Sequence, residues 1–380
     1  MQLSTFTYST ATGWSSPLAP AGRPGQTWVL AFGGTEVADD PQPWRDLALA
    51  YPDAVIAGCS TAGEMAGAQV NDATLSVAVA HFEHTHVAAA WAPVGGSAGS
   101  GAAGTRLAAL LPHQGLRAVF VLSDGLHVNG TPFVAALARG LPAGVPISGG
   151  LAGDGRRFQR TWILADGQPQ SRHVCAVGLY GDHLQVGMGC DGGWLDFGPQ
   201  RRITRAEGNV LYELDHKPAL DLYKTYLGKL ADGLPGNALL FPLSIHKPGS
   251  AGKALVRTIL GIDEKQRSMT FAGDMPVGHE ARLMRSSGDG LISSTARAVD
   301  QAMKGLAGGG PPLVVSVSCV GRRWMLGERA EEEAETIVEG SPPGAAHLGF
   351  YSYGEVSPQG RGEACELHNQ TMTVTVYAES

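Results

Sequence analysis

Charge is scarce in these 380 residues: only 17% are Asp, Glu, Lys or Arg, and the formal net charge is −7. Basic residues come at most in short clusters such as Arg156-Arg157 and Arg201-Arg202, which read as solvated surface. The electrostatic footprint of a nucleic-acid binder is missing. No apolar run approaches the ~18 residues of a membrane-spanning helix. The five cysteines (59, 175, 190, 319 and 365) are odd in number and never CxxC-spaced. That speaks against a disulfide framework and a structural zinc site and predicts a reducing cytoplasm. The opening MQLSTFTYSTATGW lacks the basic start and apolar stretch of a signal peptide, which gives the same expectation. What is abundant is apolar residues, at 43%, and glycine, with 53 aperiodic copies. The chain therefore has the material for sizeable cores joined by tight turns, at a length that suits two domains.

Periodicity gives strands and helices in mixed order. TWVLAFGG (27–34), AVIAG (54–58) and RAVFVLSD (117–124) read as buried strands. TLSVAVAHFE (74–83) and HVAAAWAPV (86–94) read as an antiparallel pair, and RTWILAD with HVCAVGLYG as a hairpin. Helices are expected near TRLAALLPH, at PFVAALARG with Thr131 as its cap, after Pro218, at LISSTARAVDQAMKG and over GERAEEEAETIVEG. One pattern occurs twice. A buried strand ends at Ser123-Asp124-Gly125, a helix follows, then VPISGGLAGDG; a buried strand ends at Ser318-Cys319-Val320-Gly321, a helix follows, then LGFYSYGEV. The expected class is α+β, with two related lobes. Each lobe is a mostly antiparallel or mixed sheet covered by helices, in a layered αββα arrangement, with domains over 1–205 and 206–380.

Several stretches are candidates for chemistry. "IAGCSTAGEM" has an apolar strand ending at Cys59-Ser60-Thr61, a frame resembling a nucleophile elbow, but one residue longer than GxSxG and with no base assignable by spacing. The alternative is a strand-to-helix loop in which Ser60 or Thr61 and Glu64 approximate a capping box. "ISGGLAGDG" has glycines at 149, 150, 153 and 155, but neither dinucleotide nor P-loop spacing; it reads as a close-packed turn with Asp154 facing a pocket. His84 and His86 would share a strand face, so metal or haem-iron ligation is geometrically open, and an axial histidine needs no motif. In the tail, His368 and Asn369 lie near Tyr351, Tyr353 and Glu355, a polar cluster suited to a small polar molecule. Cys319 beside Arg322 and Arg323 reads either as a reactive thiol or as a quiet buried one.

Taken in order, "AGCSTAGEM", Phe82-Glu83-His84-Thr85, "ISGGLAGDG", "LYELDHKPALDLYKTYLG", "LVVSVSCVGRR", "GFYSYGEV" and "LHNQTMTVTV" resemble the FIST family, with its FIST-N and FIST-C modules. The resemblance runs from about residue 28 to the C-terminus. It implies an intracellular signal-input protein binding a small ligand, with amino acids proposed, and acting on a histidine kinase, a cyclic-di-GMP enzyme or a chemoreceptor. Some stand-alone members are similar to haem-binding nitric-oxide sensors, which implies non-covalent haem b as a cofactor and a two-component kinase as a partner. Carried onto this sequence, the ligand-site candidates are Cys59, Ser60, Thr61, Glu64, Gly149, Gly150, Asp154, Ser318, Cys319, Arg322, Tyr353, Glu355, His368 and Asn369. His216 stands where the family pattern has glycine, either a surface substitution or an added haem ligand. A homodimer covering sheet edges is a further expectation. A thiol or serine hydrolase using Cys59, Ser60 or Cys319 is the alternative, distinguished by an activity probe.

Overall fold

Three times along the chain a strand buried over all or nearly all its length leads through helix to a second strand that returns parallel to it. The pairs are Thr27–Gly33 with Val55–Ser60, Leu116–Ser123 with Ile147–Leu151, and Leu313–Cys319 with Ala346–Ser352. Their runs of Val, Ile, Leu and Phe without polar alternation are those of strands covered on both faces. The computed structural model describes residues 1–18, 23–249, 254–360 and 362–380. In each copy an antiparallel strand flanks the first strand: Leu75–His81, His173–Tyr180 and Met372–Glu379 respectively. Beyond these lie Gln2–Ser9, His86–Pro93 and Leu184–Asp191.

After each second parallel strand the chain leaves its own sheet for a neighbour's. Glu64–Ala66 joins the third sheet, Gly354–Pro358 the second and Ile163–Ala165 the first. A short hairpin partner completes each excursion, at Gln69–Asn71, Cys365–His368 and Gln168–Gln170. The result is three sheets with one strand order, exchanged in a closed cycle. Three main-chain bonds close that cycle where the crossovers meet: Ala62 N–H to Tyr351 O (2.8 Å), Tyr353 N–H to Leu151 O (3.1 Å) and Gly153 N–H to Ser60 O (3.0 Å).

All three sheets present one face to a shared core. Trp28 packs edge-on against Phe120 and Tyr377, and Phe32 meets Phe120 and Phe350, so each sheet contributes an aromatic ring. Helices cover the outer faces: Gln42–Ala50 on the first sheet, Ser100–Leu110 with Gly130–Gly140 on the second, and Gly288–Met303 with Glu331–Glu339 on the third. Between Leu184–Asp191 and Gly288–Met303 the chain builds a fourth, antiparallel sheet over Leu195–Arg285. It has its own core around Leu211, Tyr223, Met269 and Phe271 and carries the helix Ala219–Leu227.

The class is α+β with helix-covered mixed sheets, as expected, and the pattern seen twice in the sequence has a third copy in residues 27–60. The expected pairing of 74–83 with 86–94 does not form. Residues 82–85 carry the chain from the first sheet to the second, held by Glu379, whose carboxylate accepts the N–H groups of Glu83, His84 and Thr85 at 2.7–2.9 Å. RTWILAD and HVCAVGLYG likewise part, Ile163–Ala165 pairing with Gln168–Gln170 instead. Asn129, not Thr131, caps Gly130–Gly140 by accepting the Thr131 N–H at 3.2 Å.

Gly149 shows how tightly the copies are pressed together. It has φ +140°, and a Cβ there would collide with the Val121 carbonyl oxygen of the adjacent parallel strand. Gly149→Ala is expected to cost about 2–3 kcal/mol through backbone strain and overpacking. A fall in the urea midpoint at unchanged m-value would show it; a midpoint equal to the parent's would refute it.

Candidate functional site

The loop that follows Val55–Ser60 does not begin a helix. Gly63, at φ +129°, turns the chain, and Glu64–Ala66 then extends as a strand in the third sheet. The Thr61–Glu64 hydrogen bond anticipated as half of a capping box does exist, but within this crossover: the Thr61 hydroxyl donates to the Glu64 carboxylate. Glu64 also accepts the Thr74 N–H at 3.3 Å and its hydroxyl at 2.9 Å. Burial pushes its pKa up to about 7 against the opposing pull of those hydrogen bonds.

Beside it lies the second crossover. The Asp154 carboxylate accepts three consecutive N–H groups, from Phe158, Gln159 and Arg160 at 2.7–2.8 Å, and the Tyr353 hydroxyl. The two loops, with Gly34, Glu36, Asp72 and Ala73, line an open cavity of about 270 Å³. Arg156 and Arg157 complete its wall. Arg157 is spoken for, its guanidinium donating to Glu36, the Asp154 carbonyl (2.9 Å) and Thr35 Oγ1 (3.1 Å). Arg156 lies 5.0 Å over the Trp324 ring and makes no ion pair among the described residues. Arg323 braces the loop from behind, donating to Ala62 O (2.5 Å) and bidentately to Asp72 at 2.7 Å, in the space a Cβ at residue 63 would need. One cleft thus holds buried carboxylates and a guanidinium without a carboxylate partner among the described residues, groups that together match a zwitterion.

The fold brings Thr61, Glu64 and Asp154 together at this cleft and sends the other candidates elsewhere. Glu355 is the counterpart of Glu64 in the third copy, accepting Ser352 O–H (2.7 Å) and Thr371 N–H and O–H (3.1 and 2.9 Å), also with its pKa pushed up to about 7 by burial. Tyr353 joins the cleft only through its bond to Asp154. Gly149 and Gly150 are packing positions inside a sheet. Ser318 and Arg322 belong to a closed network around Glu333. His368 Nε2–H donates to Ser357 O at 2.8 Å, with burial holding its pKa near 4, and Asn369 grips the inserted sheet by accepting Thr258 N–H at 3.4 Å.

Cys59 and Cys319 are fully covered, and burial drives both thiols upward, away from the thiolate. Ser60 Oγ accepts the Trp162 N–H at 3.0 Å. Among the described residues none of the three is hydrogen-bonded to a histidine, lysine or carboxylate, so the hydrolase alternative gains no nucleophile–base pair. Arg156, Arg157, Arg323, Asp72 and Thr74 were not among the sequence candidates. The only signal for Arg156-Arg157 was a basic pair, a pattern that usually means surface.

The described residues mark out no haem site. Of the five cavities described, the largest, about 640 Å³, lies between 144–146, 186–189, 301–305 and 358–363 and contains no histidine. Among the histidines only His368 lines any of them; its Nε2–H is held by Ser357 O, which leaves Nδ1 as the unprotonated ring nitrogen. The His84 ring lies against that of His183, tilted by 32° with centroids 4.4 Å apart, and no group of three or more potential metal ligands forms among the described residues. His216 is exposed at φ +60°, a backbone state that favours the glycine of the family pattern.

The FIST N domain profile matches residues 27–217, and the FIST C domain profile matches residues 219–358. The chain belongs to the FIST family. FIST domains are sensory domains of signal-transduction proteins, so a sensory role follows for this chain. The junction between the two matched segments falls inside the inserted sheet, just before the helix Ala219–Leu227. An uncharacterised protein of Methanocaldococcus jannaschii is 34% identical over 88 residues, 23% of this chain and 16% of that protein. Among solved structures, cyanuric acid hydrolase from A. caulinodans aligns with 78% of this chain and 99% of its own, at 12% identity. Its TM-score of 0.19 is too low to bear on fold or function. No helix among the described residues is long and apolar enough to cross a membrane.

Proposed function

We propose that this FIST-family protein senses a small zwitterionic, amino-acid-like ligand in the Glu64–Asp154 cleft. Its occupancy would be read by a partner signalling protein in the cytoplasm, such as a histidine kinase or a cyclic-di-GMP enzyme. The observation that carries the reading is the presence, on one small cavity, of the buried Glu64 carboxylate and of the Arg156 guanidinium, which lies over the Trp324 ring and forms no ion pair among the described residues. In this reading the ligand ammonium meets Glu64 and its carboxylate meets Arg156. The crossover strand Glu64–Ala66 links the cleft to a second sheet, so a contact at Glu64 bears on how two copies of the repeat are held together.

The test is thermal unfolding and calorimetric titration against the twenty amino acids and their decarboxylated amines. One or a few amino acids are expected to raise the midpoint, by about 2.7 kcal/mol of stabilisation at a hundredfold excess over Kd. Glu64→Gln and Arg156→Ala should each weaken binding at least about tenfold, a loss of ~1.4 kcal/mol. Affinity should rise between pH 6 and 8 as Glu64 loses its proton. No midpoint shift with any amino acid at millimolar concentration would sink the proposal.

A further inference from the structure

A separate cavity of about 190 Å³ opens where the second copy of the repeat meets the inserted sheet. Leu151, Phe158, Tyr353 and Leu367 wall it from the core side, Leu260 and Phe271 from the inserted side. Its surface is mostly aliphatic and aromatic, with Ser97, Asn129 and Asn209 among its polar lining residues. One of these, Asn209, donates its side-chain N–H to Phe271 O at 2.8 Å, while its Oδ1 accepts nothing among the described residues. An apolar cavity of roughly 150 Å³ is enough to take up benzene.

Phe158 is the unusual wall. It stands at φ +51°, a left-handed state costly for a bulky side chain, and 41% of it remains exposed. Two things hold it there. Asp154 accepts its N–H and those of the next two residues. Its ring lies flat on Tyr353, 4.6 Å between centroids and 15° between planes. Strain is thus being maintained to present an aromatic face.

We propose that this junction cavity is a second ligand site, for a small planar aromatic molecule with one hydrogen-bond donor. The ligand ring packs against Phe158 and Tyr353, and its donor reaches Asn209 Oδ1. The site is coupled to the cleft through Tyr353. The Tyr353 ring walls the cavity, while its hydroxyl donates to the cleft carboxylate Asp154 and to Gly155 O at 2.9 Å. Loop 154–160 therefore has Phe158 in one cavity and Arg156 and Arg157 in the other. An aromatic ligand that moves Tyr353 or Phe158 resets the wall of the cleft. The coupling, unlike the site itself, rests on the cleft reading above.

Phenol is the first probe, titrated alone into the full chain by calorimetry and ligand-observed NMR, with toluene as the donor-free comparison. Saturable binding of phenol, at least threefold tighter than toluene, is expected. Leu260→Trp, a change at a half-exposed position that fills the cavity, should weaken phenol at least tenfold. Absence of saturable phenol binding, or undiminished binding to Leu260→Trp, overturns the site. Because no amino acid is present in that titration, its result stands whether or not the cleft reading does. For the coupling, saturating phenol should change the dissociation constant of the amino acid identified in the cleft by at least threefold. Tyr353→Phe, which keeps the stacked ring, should bind phenol but abolish that change. Coupling that survives in Tyr353→Phe overturns Tyr353 as the link, and an amino-acid affinity indifferent to phenol overturns the coupling itself.

Discussion

Glu333→Ala is expected to lower stability by about 3–5 kcal/mol, because it strands a buried cation. Arg322 is wholly covered, as is Glu333. Its Nε donates to Glu333 at 2.9 Å, Nη1 to Gly192 O and Ser294 Oγ at 2.8 and 3.0 Å, and Nη2 to Leu291 O and Thr295 Oγ1 at 3.0 Å. Glu333 in turn accepts the hydroxyls of Ser318 and Tyr351 at 3.0 Å. The pair thereby ties Gly288–Met303, Val320–Leu326 and Glu331–Glu339 to both parallel strands of the third copy. Urea unfolding of the variant should show a lower midpoint. The apolar replacement Arg322→Met with Glu333→Leu should recover much of the loss, since no charge is then left unpaired. A Glu333→Ala protein within 1 kcal/mol of the parent would refute this view of the network. The same saturation removes Arg322 and Ser318 from ligand binding: every donor they have is already directed inward.

What was readable in the sequence followed from local pattern. Buried strands such as RAVFVLSD, the helix LISSTARAVDQAMKG and the recurrence of strand–helix–strand all depend on neighbours in the chain, and all are present. Pairing was not readable. Two adjacent apolar runs, 74–83 and 86–94, look like a hairpin to any local rule, yet a four-residue crossing and the remote Glu379 carboxylate place them in different sheets. The copy of the repeat in residues 27–60 was hidden because its crossover, AGCSTAGEM, looked like a helix start. Thr61 and Glu64 have the right spacing for a cap, and only the pairing of Glu64–Ala66 with residues 348–350 makes them a strand.

For the site, the sequence pointed to Thr61, Glu64 and Asp154, a hydroxyl and two acids near glycine turns. It passed over Arg156, Asp72 and Arg323, whose roles depend on which crossovers face each other. It also grouped Tyr353 and Glu355 as one cluster, whereas the bend at Tyr353, between the strands Ala346–Ser352 and Gly354–Pro358, sends them apart, Tyr353 to Asp154 and Glu355 to Thr371.

The two equivalent glutamates should dominate the pH dependence of stability. Glu64 and Glu355 each have a pKa raised from 4.5 to about 7, first of all by burial, in matched nests of Thr or Ser hydroxyls. In the unfolded chain both release their protons near the ordinary value, so the folded state binds them more tightly. Their stabilising contribution is complete below about pH 4.5, declines as pH rises, and is gone above about 7. At 1.36 kcal/mol per unit the loss is on the order of 3 kcal/mol per site and about 6 kcal/mol for both. Asp124 works the other way at the acid end: burial raises its pKa, but the N–H groups of Arg172, Leu126 and His127 outweigh that and hold it below the usual range, so its contribution fades as pH falls. The protein should therefore be most stable in mildly acid solution. Its urea midpoint should fall from pH 5 to pH 8, and Glu64→Gln with Glu355→Gln should flatten that slope by keeping both sites neutral. A parent midpoint unchanged between pH 5 and 8, or a slope the double variant leaves intact, would rule these residues out as its source. Only Glu64 opens on the cleft, so a bound ammonium would replace its proton and offset half of the alkaline loss. Glu355, lining none of the five cavities described, would keep its penalty with the ligand present or absent.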